Sequence, residues 1–555
     1  MSLASEISVA NTTKTTPFKG ASMARLRRLD SALELAIFLV CAGYLCLFLR
    51  YSSLELDEGI VLEGAERVLH GEIPYRDFFT FYTPGSFYLV AMAFRVFGDS
   101  FVVARFSIAV CGALCSVLTY ALTRRVCSRG ISIFCAMLAT LAGAAFRFLV
   151  LHNPYSTLFS FLALYAALRA IETRRLAWMV AAGSLASTTL LIEQSKGIGV
   201  FAGLLLAFTL VRLFDHSWQG SANRVLSFLL GGCLPIIATC WYFSAHHAFG
   251  VMLHDWIWPL QHYTKANHVP YGFQNWSDQT RDLIFHSGPL WLRVIKVLTV
   301  SPTFVVPVLP LVAIALLGYI TWKAWAKGVR SQHYAYYILV CSVSAGLLAS
   351  VVVARPDSLH FMYLAPIWYV VLAWVLDARG TRSQFLQNVR PYLFAYVVVS
   401  FGMLALASLL PATGARNRIE TRRGLIKMNA ENTVVPYVQA HVTEGDRLLV
   451  YPYLPLYNYL TGTLSPSRYD FFQPGMNTPD QADEIIQSLK SETSVLLQPA
   501  FSDTIPHSWA DTPLSVIVND PVTEYVVRNY HLCQVLGSPE KLAFWWMVPK
   551  DRGCS

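Results

Sequence analysis

Two adjacent carboxylates, Asp57 and Glu58, stand a few residues beyond Leu33 to Leu49, an apolar run of helical length. Charge beside hydrocarbon is costly and is retained for a task, and a carboxylate in such a place is suited to accept a proton from a hydroxyl. Asp57 reads as that base, although Asp is equally a favoured cap for the helix that the following residues predict. Glu58 fits three roles: ligand to a divalent cation, hydrogen-bond acceptor for a bound hydroxyl, or a charge favouring a helix N-terminus. Positive charge comes from remote turns. Lys196 lies between two apolar runs in Glu193-Gln194-Ser195-Lys196-Gly197, as a partner either for an anion or for Glu193. Arg355 and His360 flank Asp357 in another short turn. A base on one side and cations on the other can move a group away from an anionic leaving group.

The elements that must position these residues are membrane helices. Of the 555 residues, 55% are hydrophobic and 14% charged, against about 25% charged in soluble domains, so the chain reads as an integral membrane protein. Its formal charge of +9 is spread over basic clusters between apolar runs, the pattern of cytoplasmic loops, and argues against a nucleic-acid partner. Most of the eleven cysteines, Cys41, Cys46, Cys111, Cys115, Cys135, Cys233, Cys240 and Cys341 among them, lie inside apolar runs as small hydrophobes. Cys533 and Cys554 fall in the polar tail, where they can pair if that tail is extracytoplasmic.

Residues 1–24 are polar and aperiodic, as a disordered cytoplasmic tail is. Arg25, Arg27 and Arg28 precede the first run and favour an inside N-terminus. Apolar runs then recur to Leu410, and every second connection is rich in Lys or Arg. The acidic pair and a long aromatic connection from His246 to Lys296 fall on the other side. The pattern predicts a transmembrane module over 25–410 with about eleven spans, a first outer loop over 51–100, and an outer C-terminal domain over 411–555. Arg416, Arg418, Arg422 and Arg423, just past the last span, run against that charge rule. In the tail, residues 447–451, 494–498 and 541–548 read as strands and Thr478-Pro479 as a helix start, giving a small α/β domain. The histidines at 246, 247, 254 and 262 read as interfacial hydrogen-bonding groups. Arg105, one helix boundary from the first loop, reads as an interfacial side chain with its head in water.

Within that loop, Ile60, Val61, Ala65, Val68 and Leu69 share a helical face that Gly71 ends. Phe78, Phe79, Phe81, Tyr82, Phe87 and Tyr88 suggest an aromatic belt at headgroup level. Asp57-Glu58, then Ala65, Leu69, Gly71, Pro74-Tyr75 and Asp77-Phe78, then Tyr82-Thr83-Pro84-Gly85 and Phe97-Gly98-Asp99-Ser100 with Arg105 together resemble the first extracytoplasmic loop of GT-C glycosyltransferases. The groups it is similar to are the protein O-mannosyltransferases, the aminoarabinose transferases and the RgtA/B/C/D-like proteins.

The resemblance implies an α-helical polytopic membrane protein of GT-C type, a hexosyl- or pentosyltransferase. It would move a sugar from a polyprenyl-phosphate donor to a lipid, glycan or protein acceptor, with inversion, on the extracytoplasmic face of the plasma (inner) membrane. Asp57 matches the family's first acidic position and is the general base, with Glu58 beside it. Lys196, Arg355 and His360 are the donor-phosphate residues. Asp77 and Tyr82 contact the acceptor or shape the loop, a local pair with Arg76 being the alternative for Asp77. A divalent cation stays open as cofactor. A lipid or sugar transporter or flippase is a competing reading and predicts ionisable groups within spans and paired broken helices. A non-catalytic GT-C-like scaffold is another.

Overall fold

The computed structural model describes residues 18–214, 222–262, 268–327, 333–377, 384–452, 454–471, 478–489, 493–498, 520–537 and 543–554. Helix forms over the apolar runs, residues 145–151 excepted, because hydrocarbon offers no partner for a backbone amide and the helix satisfies each amide internally. The chain opens with α1 (Phe18–Leu45), then α2 (Leu56–Leu69) and α3 (Gly85–Phe97) in the first loop, α4 (Phe101–Thr123) and α5 (Arg129–Ala139). It continues with α6 (His152–Thr173), α7 (Leu176–Ile192), α8 (Gln194–Phe214), α9 (Ala222–Ala245) and α10 (Phe249–His262). Three short helices follow, α11 (Asp278–Phe285), α12 (Leu290–Val300) and α13 (Pro302–Val305), before α14 (Val308–Lys327), α15 (Tyr334–Ala354), α16 (Ser358–Tyr363), α17 (Ala365–Leu376) and α18 (Gln384–Gly414).

Among the described residues, seven helices are long and apolar enough to cross a membrane, and four shorter apolar helices accompany them. Of the expected disordered tail, residues 1–17 lie outside the described residues and 18–24 are helical. Close helix packing rests on missing side chains. A Cβ at Gly199 of α8 would stand 2.4 Å from the Gly346 carbonyl of α15, and one at Gly203 would stand 2.7 Å from that of Ser342. Small residues at this spacing let backbones approach where no water is available to drive association.

The C-terminal part holds a hairpin, β1 (Asn417–Thr421) and β2 (Gly424–Met428), then α19 (Val434–His441), β3 (Leu448–Tyr451), α20 (Pro455–Thr461), α21 (Pro479–Ser488), β4 (Ser494–Leu497), α22 (Pro521–Asn529), β5 (Tyr530–Leu536) and β6 (Phe544–Pro549). The sheet order is β3-β4-β6-β5, with β3 and β4 parallel and the other pairs antiparallel. Thr478 and Gln481 close the expected capping box on α21. Cys533 and Cys554 are joined in a disulfide that ties β5 to the last residues.

This part packs directly on the first loop. Arg423 pairs with Glu66 of α2 and, at 3.1 Å, with Asp99, while Arg67 of α2 donates to Asp470 at 2.6 Å. One of the four arginines that run against the charge rule is therefore a counter-ion for acidic groups of the first loop. The amide of Phe79 donates to the Arg468 carbonyl at 2.8 Å, and the Arg468 guanidinium returns a bond to the Tyr75 carbonyl at 2.6 Å. Of the aromatic side chains expected at headgroup level, Phe78, Phe79, Phe81 and Phe87 are instead buried, and Tyr82 and Tyr88 are half-buried. Phe79 and Phe81 pack with Trp258, Tyr469 and Phe471, because the C-terminal part covers the face that the sequence leaves open.

Candidate active site

Asp57 and Glu58 are neighbours on α2, and consecutive helical residues point about 100° apart, so their surroundings differ. Glu58 is turned inward and fully buried. Its Oε2 accepts from Arg105 Nη2 at 2.6 Å, its Oε1 lies 2.5 Å from Arg105 Nε, and Oε1 also accepts the Val150 amide at 2.9 Å. Arg105, expected at the water interface, is 1% exposed and donates to the Phe148 carbonyl as well. Glu58 is thereby occupied as an internal counter-ion rather than presented to a cation or a bound hydroxyl.

Asp57 is turned outward and keeps 37% of its side-chain exposure. It is not the cap of α2: that position is held by Glu55, whose side chain makes no capping bond. The Asp57 carboxylate is steered by Arg147, whose Nη2 lies 3.1 Å from Asp57 Oδ2 and 3.2 Å from Glu55 Oε2. The sequence reading missed Arg147, which stands inside an apolar run. The fold delivers it by breaking that run: α5 passes into a π turn at Thr140–Ala144, and the chain stays irregular until α6 starts with Pro154 in its first turn. Such turns often mark functional places.

Lys196 is 1% exposed. Its Nζ lies 2.9 Å from Glu193 Oε2 and donates to Asn153 Oδ1 at 2.7 Å and Ser156 Oγ at 3.3 Å. Of its two expected partners, the structure places Glu193. Arg355 and His360 are likewise engaged. Arg355 Nε donates to Asp357 Oδ2 at 2.8 Å, Arg355 Nη2 donates to Asn275 at 2.9 Å, and His360 Nδ1 lies 2.7 Å from Asp357 Oδ1. Asp77 accepts from Arg76 at 2.8 Å and from the Ile73 amide at 2.7 Å, which shapes the turn. Tyr82 lays its ring 4.5 Å from that of His152, and its carbonyl accepts the Tyr75 hydroxyl at 2.8 Å.

These turns converge. His152 Nε2 is 4.0 Å from Glu193 Oε2, Lys196 Nζ stands 5.7 Å from the centre of the Tyr363 ring, and the Tyr363 carbonyl accepts Thr157 at 3.1 Å. Tyr363 lies within electrostatic range of Arg147, Asp57 and Asp357, as His152 does of Asp57 and His360. Arg147, Pro154, Thr157 and Tyr363 line a small cavity of about 30 Å³ that runs down between α4 and α17. None of the residues picked from sequence lines it. A larger apolar groove of about 460 Å³ lies between α3, α7 and α9, beginning at Pro84 and Gly85. Among the described residues, no three His, Cys, Asp or Glu side chains group as a metal site would, and the side chain of His262 lies outside them.

Asp357 is the electrostatic anchor of the late turn. Burial opposes its ionisation, but the charge and hydrogen bonds of His360 and the Asn275 amide outweigh it and hold the carboxyl below its ordinary value of 3.8. A carboxyl with a lowered folded pKa contributes stability above the unfolded value and loses it as pH falls. Thermal stability is therefore expected to drop as pH passes below about 4, and Asp357→Asn to flatten that drop. Melting curves across the acid range check this, and parallel curves for both proteins would refute it.

Residues 82–243 match the family model described as dolichyl-phosphate-mannose-protein mannosyltransferase. Among curated proteins no sequence match is found. In fold, the chain is similar to ArnT from Cupriavidus metallidurans bound to undecaprenyl phosphate, at 12% identity and TM-score 0.53, covering 95% of this chain and 99% of that one. The apo state of the same protein gives a TM-score of 0.52 at 12% identity, covering 95% and 98%. The archaeal oligosaccharyltransferase AglB from Archaeoglobus fulgidus, in complex with an inhibitory peptide and a dolichol-phosphate, gives 0.51 at 11% identity, covering 92% of this chain and 74% of that one. The shared architecture is the GT-C fold.

Proposed function

We propose that this GT-C-fold membrane protein is a glycosyltransferase that moves a sugar from a polyprenyl phosphate to an acceptor hydroxyl, with Asp57 as general base. The observation that carries the reading is the Asp57 carboxylate, part exposed and steered by Arg147, where four loops of this fold meet. The step is a single displacement. Asp57 takes the proton from the acceptor hydroxyl, that oxygen attacks the anomeric carbon, and the bond from that carbon to the phosphate oxygen breaks, leaving its electron pair on the phosphate. Arg147 is placed to orient the base and to face the negative charge that develops on the leaving group. Lys196, Arg355 and His360 supply the surrounding positive potential from within their own ion pairs rather than as bare phosphate ligands. The acceptor is a lipid, glycan or protein hydroxyl, and the transferred sugar a hexose or pentose.

The site lies on the extracytoplasmic face in this reading. The Cys533–Cys554 disulfide fits an oxidising compartment, and the domain that carries it packs on the loop that holds Asp57. The test uses membranes containing the full chain and a polyprenyl phosphate carrying a labelled sugar. A new glycosidic bond that depends on the chain is expected. Movement of lipid or sugar without a new bond would instead identify a transporter.

A further inference from the structure

The seam between α2 and the C-terminal part holds more acid than base. Arg67 is shared by Glu72, at 2.7 Å from its Nε, and by Asp470, at 2.6 Å from its Nη1. Arg423 is shared by Glu66, by Asp99 at 3.1 Å and by Glu444 at 2.7 Å. Two guanidiniums thus serve five carboxylates. A sixth, Glu63 of α2, is 2% exposed, and its Oε2 is buried with no hydrogen-bond partner. Farther out, His70 reaches Asp99 and Glu444, and Arg422 reaches Glu444. Glu63 is left with the field of Arg67, set against those of Glu66, Asp470 and Glu72. The helices packed on α2 bring Phe87 from α3, Leu456 from α20 and, also from α20, Tyr459, whose hydroxyl donates to Asp99 at 3.2 Å.

A buried carboxylate without a counter-ion of its own is costly, and a proton removes the cost. Burial and the like charges of Glu66, Asp470 and Glu72 push the Glu63 carboxyl well above its ordinary value of 4.5. Burial, with Asp99 and Glu444 alongside, pushes Glu66 up to about 7 in spite of Arg423. Asp470 is raised by burial as well. Where the seam opens, water reaches these groups and restores their ordinary values, so closing the seam takes up protons. A carboxyl with a raised closed-state pKa favours closure fully below about 4.5, and that contribution is lost as pH rises through about 7 and beyond. In between, each proton taken up makes the closing constant fall about tenfold per pH unit.

We propose that the seam between α2 and the C-terminal part is a proton-operated latch, closed while Glu63 is a neutral acid and released when Glu63 and Glu66 ionise together. The two lie three residues apart on α2, where helical side chains are neighbours and like charges repel. Arg67 and Arg423 are already shared and cannot neutralise both. The proton leaves to water as the seam opens, so the burial of Glu63 in the closed form is the source of the effect. Release frees the outer side of the helix that carries Asp57. The consequence for catalysis, transfer that slows as pH rises, rests on the glycosyltransferase reading; the latch itself does not.

The test follows hydrogen exchange of the purified full chain in detergent micelles from about pH 6 to about pH 9, each rate taken relative to an unstructured peptide at the same pH. Protection of α2 and β2 is expected to fall by about 10- to 100-fold over that range, while α8 and α15 keep theirs. Glu63→Gln keeps the shape and cannot ionise, and is expected to cut the fall by about tenfold. The proposal is overturned if protection of α2 and β2 does not fall in the parent, if α8 and α15 lose theirs equally, or if Glu63→Gln falls as the parent does. The first two comparisons need no variant and decide even where Glu63→Gln fails to fold. Transfer of labelled sugar is measured separately, and the parent is expected to drop below Glu63→Gln as pH rises. Equal transfer by the two while the parent seam opens would overturn the link to Asp57. A seam that opens as expected in a chain that makes no glycosidic bond would count against the enzymatic reading alone.

Discussion

Asp57→Asn abolishes sugar transfer while the protein accumulates and folds as before: that is the result expected of a general base, whose removal costs about 10²- to 10⁴-fold in rate. The substitution keeps shape and removes only the capacity to hold a proton. Structural collateral is small, because Asp57 is part exposed, does not cap α2, and shares Arg147 with Glu55. Arg147 keeps its Glu55 contact when Asp57 is neutralised, so the break before α6 stays in place. Donor binding should survive, since the substitution removes no positive charge, and the loss should appear in kcat rather than KM. Transfer by Asp57→Asn at the parental rate would remove Asp57 from the mechanism.

The second large effect concerns stability. Arg105 and Glu58 are 1% and 0% exposed and joined at 2.5 and 2.6 Å, and they tie α2 to α4. Removing one partner strands the other charge in a dry interior, a change that costs about 3–5 kcal/mol. Arg105→Met and Glu58→Leu should each lower the melting temperature of the solubilised protein strongly and reduce its yield. The double variant, which removes both charges, should recover much of the loss. Single variants that melt with the parent would show that the pair does not hold the loop. Because α2 carries Asp57, the same substitutions are expected to slow transfer in whatever protein remains folded, through misplacement rather than chemistry.

These two predictions divide the adjacent carboxylates in a way that their adjacency hides. The sequence offers both as acids near a membrane, and only the helical phase about a particular neighbour leaves one part exposed beside Arg147 and makes the other a buried counter-ion. The same holds for the cations. Lys196, Arg355 and His360 were visible because charge in a short turn between apolar runs stands out, but pairing with Glu193 or Asp357 depends on side-chain direction, which spacing along the chain does not fix. Arg147 was hidden for the opposite reason. It lies inside an apolar stretch that reads as one helix, and the π turn that breaks this stretch leaves no strong mark on hydropathy.

By itself the sequence determined that the chain builds a bundle of apolar helices, that an acidic loop follows the first of them, and that a strand-bearing part comes last. Helix in hydrocarbon is dictated locally, since each backbone amide must find its partner within its own segment. What the tertiary structure decided is who faces whom: Arg147 beside Asp57, Arg105 beneath Glu58, Arg423 across from Glu66, and Phe79 and Phe81 of the first loop buried against Phe471 and Trp258. Those pairings join residues tens to hundreds of positions apart. Their energies arise from desolvation and charge at contact distance, quantities that exist only once the chain has closed on itself.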